Sequence, residues 1–216
     1  MKYYRVKITG MPDLQVPAIA IDAQTVREEV SKIYSRVAAD PAGEFHFHRG
    51  PKYAAEFLGY DPAGLAALPS ECAASFAGIA NPHLIAPIMP RETVLDIGCG
   101  AGTDLLLAAG RVGPDGHAIG IDMTEAMRDR AIASAAAAGL ANVEVHRADA
   151  TSLPLPDGSV DVVISNGVLN LVPEKDKAFT EIWRVLRPGG RLQLGDIVLD
   201  APITAKARGD VGLWTD

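Results

Sequence analysis

Cysteine is nearly missing from this chain: 216 residues contain two, Cys72 and Cys99. Two thiols cannot build a disulfide framework, and such sparse use fits a reducing compartment, so a cytoplasmic location is expected. A leader is missing too. The start, MKYYRVKITG, has no apolar core of the kind a secretory signal needs. No apolar run reaches the roughly 20 residues that cross a bilayer, and the Ala-rich stretch 131–140 is too short for it. Positive charge is in deficit, with 20 Lys and Arg against 27 Asp and Glu and a net charge of −7. That balance argues against phosphate backbones and anionic membranes as general partners. Neither an internal repeat nor a low-complexity tract is present. What remains is an ordinary globular composition, 48% hydrophobic and 22% charged. A chain of this size buries roughly 70% of its unfolded surface, enough for a sizeable core.

The pattern changes near residue 91. Before it, Pro and Gly interrupt the chain and no strand–helix alternation repeats. Residues 3–9 are expected to form a short strand. Residues 24–38 form an amphipathic helix with Val26, Val30, Ile33, Tyr34 and Val37 on one face. Shorter helices are expected over 51–59, 62–67 and 70–80. Residues 1–90 therefore read as a helical extension or lid, and 91–216 as a second unit. There, strands over 93–96, 117–122, 143–147, 160–165 and 191–199 alternate with helices over 103–109, from Thr124 to Gly139, and 174–187. Gly110 and Arg187-Pro188-Gly189-Gly190 are read as helix stops. Strands joined by helix-length crossovers predict an α/β fold with a doubly wound parallel sheet.

The strongest chemical signal is Val94-Leu95-Asp96-Ile97-Gly98-Cys99-Gly100-Ala101-Gly102-Thr103, between a strand and a helix. Glycines let a ligand approach the backbone. The dinucleotide spacing would need glycine at 103, and a phosphate-binding Gly-Lys-Ser/Thr is absent. Asp96 at the mouth of the loop would repel a pyrophosphate but would attract an ammonium or sulfonium. Asp122 ends the second strand, where an acid accepts from ribose hydroxyls. Asp149 ends the third, suited to accept from an adenine amino group. Three carboxylates at successive strand ends describe a site for an amino-acid-bearing nucleoside, and S-adenosylmethionine fits.

These residues resemble the class I S-adenosylmethionine-dependent methyltransferases. VLDIGCGAG, GIDMT, RADA, VDVVISN and LRPGG follow one another in that family's order over 92–199. Within the class, the chain is most similar to the arsenite methyltransferases, through GIDMTEAM, SVDVVISNGVLNL, EIWRVLRPGGRLQLGDIV, VGLW, FAGIANP and the helix carrying Tyr34. The resemblance implies a Rossmann-like sheet of order 3-2-1-4-5 and S-adenosylmethionine as cofactor. It also implies that Tyr34 lies over the cofactor and that Gly98, Cys99, Gly100 and Gly102 form the loop around its methionine part. Asp122 and Met123 would then meet ribose and adenine, Asp149 and Ala150 the adenine edge, and Asn166 and Gly167 the transfer site.

The departures concern thiolates. The family's cysteine in the fourth-strand motif is Gly167 here, 76–80 holds none, and Cys72 is off register. A third would lie beyond the tryptophan matching Trp214. A soft arsenic(III) centre prefers thiolates, so a small-molecule acceptor is expected, with arsenite as the weaker alternative, and no metal site. Candidates for a base or acceptor contact are His46 and His48, which alternate and would point one way in extended chain, and Asn170. The family sheet continues past strand five, for which the tail 200–216 is too short. A C-terminally truncated chain is therefore expected, or an edge covered by residues 3–9, a second copy or another chain. Two other readings stay open: a cofactor-binding protein without catalysis, and a nicotinamide-dependent oxidoreductase.

Overall fold

A computed structural model describes residues 22–198 and Gly212. The expected strand over 3–9, the end of strand five at Leu199, the C-terminal helix and Trp214 lie outside the described residues. The N-terminal part carries helices α1 (Ala23–Ala39), α2 (Gly50–Leu58), α3 (Pro62–Ala66) and α4 (Ser70–Ala74). The sheet part follows as β1 (Thr93–Ile97), α5 (Thr103–Val112), β2 (His117–Asp122), α6 (Glu125–Ala137), β3 (Val143–Arg147), β4 (Val160–Asn166), α7 (Lys175–Val185) and β5 (Leu186–Gly195). All neighbouring strands are parallel, in the order β3-β2-β1-β4-β5. This is the expected doubly wound Rossmann-like sheet.

Helices cover both faces, so the central strands need apolar side chains on both. Val160, Val162, Val163 and Ile164 of β4 are fully buried, as are Val94 and Leu95 of β1. Leu95 packs with Ile119, Val163 and Ile182 on one face. Val94, Val162 and Ile164 meet Ala108 and Val112 of α5 on the other.

Three boundaries differ from expectation. Helix α5 passes through Gly110 and ends at Gly113, whose N–H bonds to the carbonyl of Ala109. An exposed glycine inside a helix costs about 1 kcal/mol, and burial of Ala109 and Val112 on either side of it offsets that. Helix α4 stops at Ala74, and the segment to Asn81 is a loop held by tertiary hydrogen bonds. Strand β5 starts at Leu186 instead of Arg191 and ends at Gly195. Val160 pairs with Leu186 and Val162 with Arg191, so Arg187–Gly190 stand opposite the single residue Asp161. Pro188 and the two glycines form a bulge on this outermost described strand, where a missing N–H is tolerated.

Leu95 has no exposed surface, so Leu95→Ala opens a cavity at the centre of the sheet. The expected loss is about 2–5 kcal/mol, read as a lower urea midpoint at unchanged slope; a loss below about 1 kcal/mol would contradict the packing described.

Candidate functional site

A pocket opens at the C-terminal ends of the strands, where open parallel sheets hold ligands. Its floor is the turn between β1 and α5. Gly98 and Gly100 both have positive φ, at 70° and 53°. A Cβ on Gly98 would overlap Val168, whereas one on Gly100 would meet nothing within 4 Å. Gly98 thus lets the β4 segment close over the loop, and Gly100 leaves bare backbone facing the pocket. Gly102 does something else. It is absent from the pocket lining, and a Cβ there would lie 2.9 Å from Leu106 and 3.6 Å from Ala131. The cofactor role expected for Gly102 is replaced by close packing of α5 against α6. Cys99 does line the pocket. Its thiol is pushed well above its ordinary range by burial and by Asp122 and Asp96.

Asp122 ends β2 with its carboxylate already oriented. One oxygen accepts from the Thr124 N–H at 2.8 Å, the other from the Gly100 N–H at 3.0 Å. Burial raises its pKa and those two bonds oppose the rise. A carboxylate has about four acceptor positions, so acceptor capacity remains for ligand hydroxyls. Met123, Ala150, Asn166 and Gly167 also line the pocket, as expected. Tyr34 joins them from α1 and stacks on Phe47 with ring centres 6.2 Å apart. Burial, and then the charge of Asp122, push its hydroxyl up to about 12, so it serves as a neutral aromatic wall.

Asp96 differs from every other acid here. It is 2% exposed, and its Oδ2 has no hydrogen-bond partner. A buried carboxylate oxygen without a donor is costly. Burial first, then Asp104 and Asp122, raise its pKa well above the ordinary carboxylate range. A cationic ligand supplies what this oxygen lacks. The loop's backbone cradle, the ligand-ready Asp122 and the orphaned Asp96 together fit S-adenosylmethionine.

Two polar residues of the lining escaped the sequence reading. Arg27 of α1 donates to Asp149 at 2.6 Å through Nε and to Glu174 at 2.5 Å through Nη2. Asp149 also accepts from the N–H and hydroxyl of Thr151, so it is more occupied than an open adenine acceptor would be. Arg27, Val30 and Tyr34 share one helix face at i, i+3 and i+7, a signal that was available. Asp104, in the first turn of α5, accepts from the Tyr60 hydroxyl at 2.6 Å, the Asn166 amide at 3.0 Å and His83 Nε2 at 3.1 Å. Asn166 also accepts from the N–H groups of Ile79 and Ala80, which fastens the loop before β1 to the end of β4.

The three candidate catalytic residues lie elsewhere. Phe45 and Phe47 turn inward toward Val37, Ala101 and Met127. The alternating His46 and His48 therefore point outward and are exposed, His46 edge-on to Phe47 and His48 stacked on Tyr53. The shared direction expected of them holds, but it leads to solvent. Asn170 receives its place from Asp196, which accepts from its backbone N–H at 3.1 Å. Among the described residues, no group of three or more His, Cys, Asp or Glu could hold a metal ion, and no helix is long and apolar enough to cross a membrane.

Sheet order, glycine cradle and strand-end acids together define a class I S-adenosylmethionine-dependent methyltransferase domain. Residues 88–212 match the family described as a methyltransferase domain, and the chain belongs to it. It is 48% identical over 147 residues to an arsenite methyltransferase of Halobacterium salinarum, covering 68% of this chain and 37% of that protein. It is 38% identical to an arsenite methyltransferase of Aquipseudomonas alcaligenes, covering 61% of this chain and 40% of that one. The chain thus spans less than half the length of these relatives. An arsenic(III) S-adenosylmethionine methyltransferase from Chlamydomonas reinhardtii superimposes with a TM-score of 0.63 at 36% identity, over 67% of this chain and 51% of that one. The family's cofactor is S-adenosylmethionine.

Burial works to raise Asp149, but Thr151 and Arg27 outweigh it and hold the carboxyl below its ordinary value. The stability this contributes is full above the unfolded pKa of about 3.9 and fades as pH falls through the lower folded value. Arg27→Ala should therefore cost about 1 kcal/mol near neutral pH, less near pH 3. Urea unfolding at both pH values checks this; an equal loss at both would contradict the pairing.

Proposed function

We propose that this chain is the cofactor-binding catalytic domain of an enzyme that methylates a small-molecule acceptor. The orphaned oxygen of Asp96, buried beside a glycine cradle and Asp122, carries the reading. S-adenosylmethionine supplies a methyl group already activated on a sulfonium, so the protein's work is alignment and exclusion of water. Asp96 offers charge to the cationic end and Asp122 accepts from hydroxyls. Tyr34 and Val30 close one side of the pocket. Phe76, Ala77 and Gly78 line it together with Val168 and Leu171, apolar surface that excludes water from the transfer region.

Arsenite as the acceptor is the second reading, favoured by the names of the relatives. The donor set weakens it. Cys99 is the cysteine of the lining, Cys72 shares a hydrogen bond with Thr103 behind the loop, and Gly167 stands where the resembling family has a thiolate. Incubation with methyl-labelled cofactor, once with a mixed metabolite extract and once with arsenite plus thiol, separates the readings. Label in an organic product supports the first, label in arsenicals the second, and none from folded, cofactor-bound protein would contradict catalysis by this chain.

Asp122→Ala removes the anchor of the glycine loop at Gly100, the bond to Thr124 and the remaining acceptor capacity. Cofactor affinity should fall about tenfold or more, with far-ultraviolet circular dichroism preserved. Unchanged affinity would contradict the role given to β2.

A further inference from the structure

Donors are shared unequally among the acids that converge on the pocket. Asp104 has three: Tyr60, His83 and Asn166. The His83 ring is buried and meets Asp104 through Nε2, with no partner at Nδ1. Asp122 has two backbone donors. Asp96 keeps an oxygen with none. Around it stand Asp104 from α5, Asp122 from β2, Tyr60 from the segment after α2 and Cys99 from the glycine loop. None of these is a cation. Three carboxylates lining one buried pocket repel one another, and a proton is most favourable on the one least served by donors.

We propose that Asp104 is a positioning residue: its three donors keep it ionised, its charge keeps a proton on Asp96 until the cofactor binds, and the cofactor's positive end then displaces that proton to solvent. The O–H bond of Asp96 breaks, the electron pair stays on the carboxylate, and the incoming positive charge replaces the proton. No other bond changes. The three donors come from the N-terminal part (Tyr60, His83) and the end of β4 (Asn166), so protonation at Asp96 depends on how these parts fit around α5. The inference rests on the cofactor reading given above.

Calorimetric titration of the full chain with S-adenosylmethionine, in phosphate and in Tris at one pH, reads the proton directly. About one proton should leave per cofactor bound, and affinity should strengthen as pH rises from acid to neutral. Infrared difference spectra should lose a protonated-carboxyl band on binding. Asp96→Asn should abolish both signals. Asp104→Asn should reduce the release to less than about half and flatten the pH profile of affinity. Tight binding by the unaltered chain with no proton release and no band loss would overturn the proposal, as would full release by Asp104→Asn. If that variant does not fold, the infrared signal of the unaltered chain and of Asp96→Asn decides. No binding at all would remove the cofactor reading itself, a distinguishable failure.

Discussion

Holding Asp96, Asp104 and Asp122 in one buried pocket is the constraint around which the rest of the molecule is arranged. Like charges out of water repel strongly, and each needs donors or a counter-charge. Asp122 draws its donors from the backbone, which fixes the glycine loop against the end of β2. Asp104 draws its own from distant side chains. Asp96 is left for a ligand. A charge balance of this kind favours a cation and disfavours a pyrophosphate, which explains why a dinucleotide-like loop here serves a different cofactor.

The same demand for donors ties the N-terminal helices to the sheet. Tyr60 and His83 reach Asp104 across 44 and 21 residues of sequence. Asn166 holds the backbone of Ile79 and Ala80 and touches Asp104 with its other end. Arg27 adds a second clasp, from α1 to Asp149 and Glu174. Helix α1 and the segment 75–78 therefore contribute to the lining of the pocket.

The sheet was legible because its central strands are short, apolar on both faces and followed by glycine or acid, a pattern set by local sequence. The acids at strand ends were legible for the same reason: position along a strand fixes which end of the sheet a residue reaches. What escaped depended on partners far away. Asp104 reads as an ordinary first-turn acid until Tyr60, His83 and Asn166 are brought to it. Segment 75–80 has helical composition, yet Asn166 captures the N–H groups of Ile79 and Ala80 and keeps it out of a helix. Arg187–Gly190 looks like a stop and is a bulge, because β4 resumes pairing beyond it. His46 and His48 share a direction as their alternation implied, but the two phenylalanines between them and the core decide which direction. Gly102 sits in the right loop and serves helix packing instead of the ligand.

The central claim is that buried, donor-poor acid makes this pocket a receptor for a sulfonium nucleoside. Parallel calorimetric titrations of the chain with S-adenosylmethionine and with NAD test it most directly. One S-adenosylmethionine bound per chain with no heat from NAD is the expected result; NAD binding without S-adenosylmethionine binding would contradict the account.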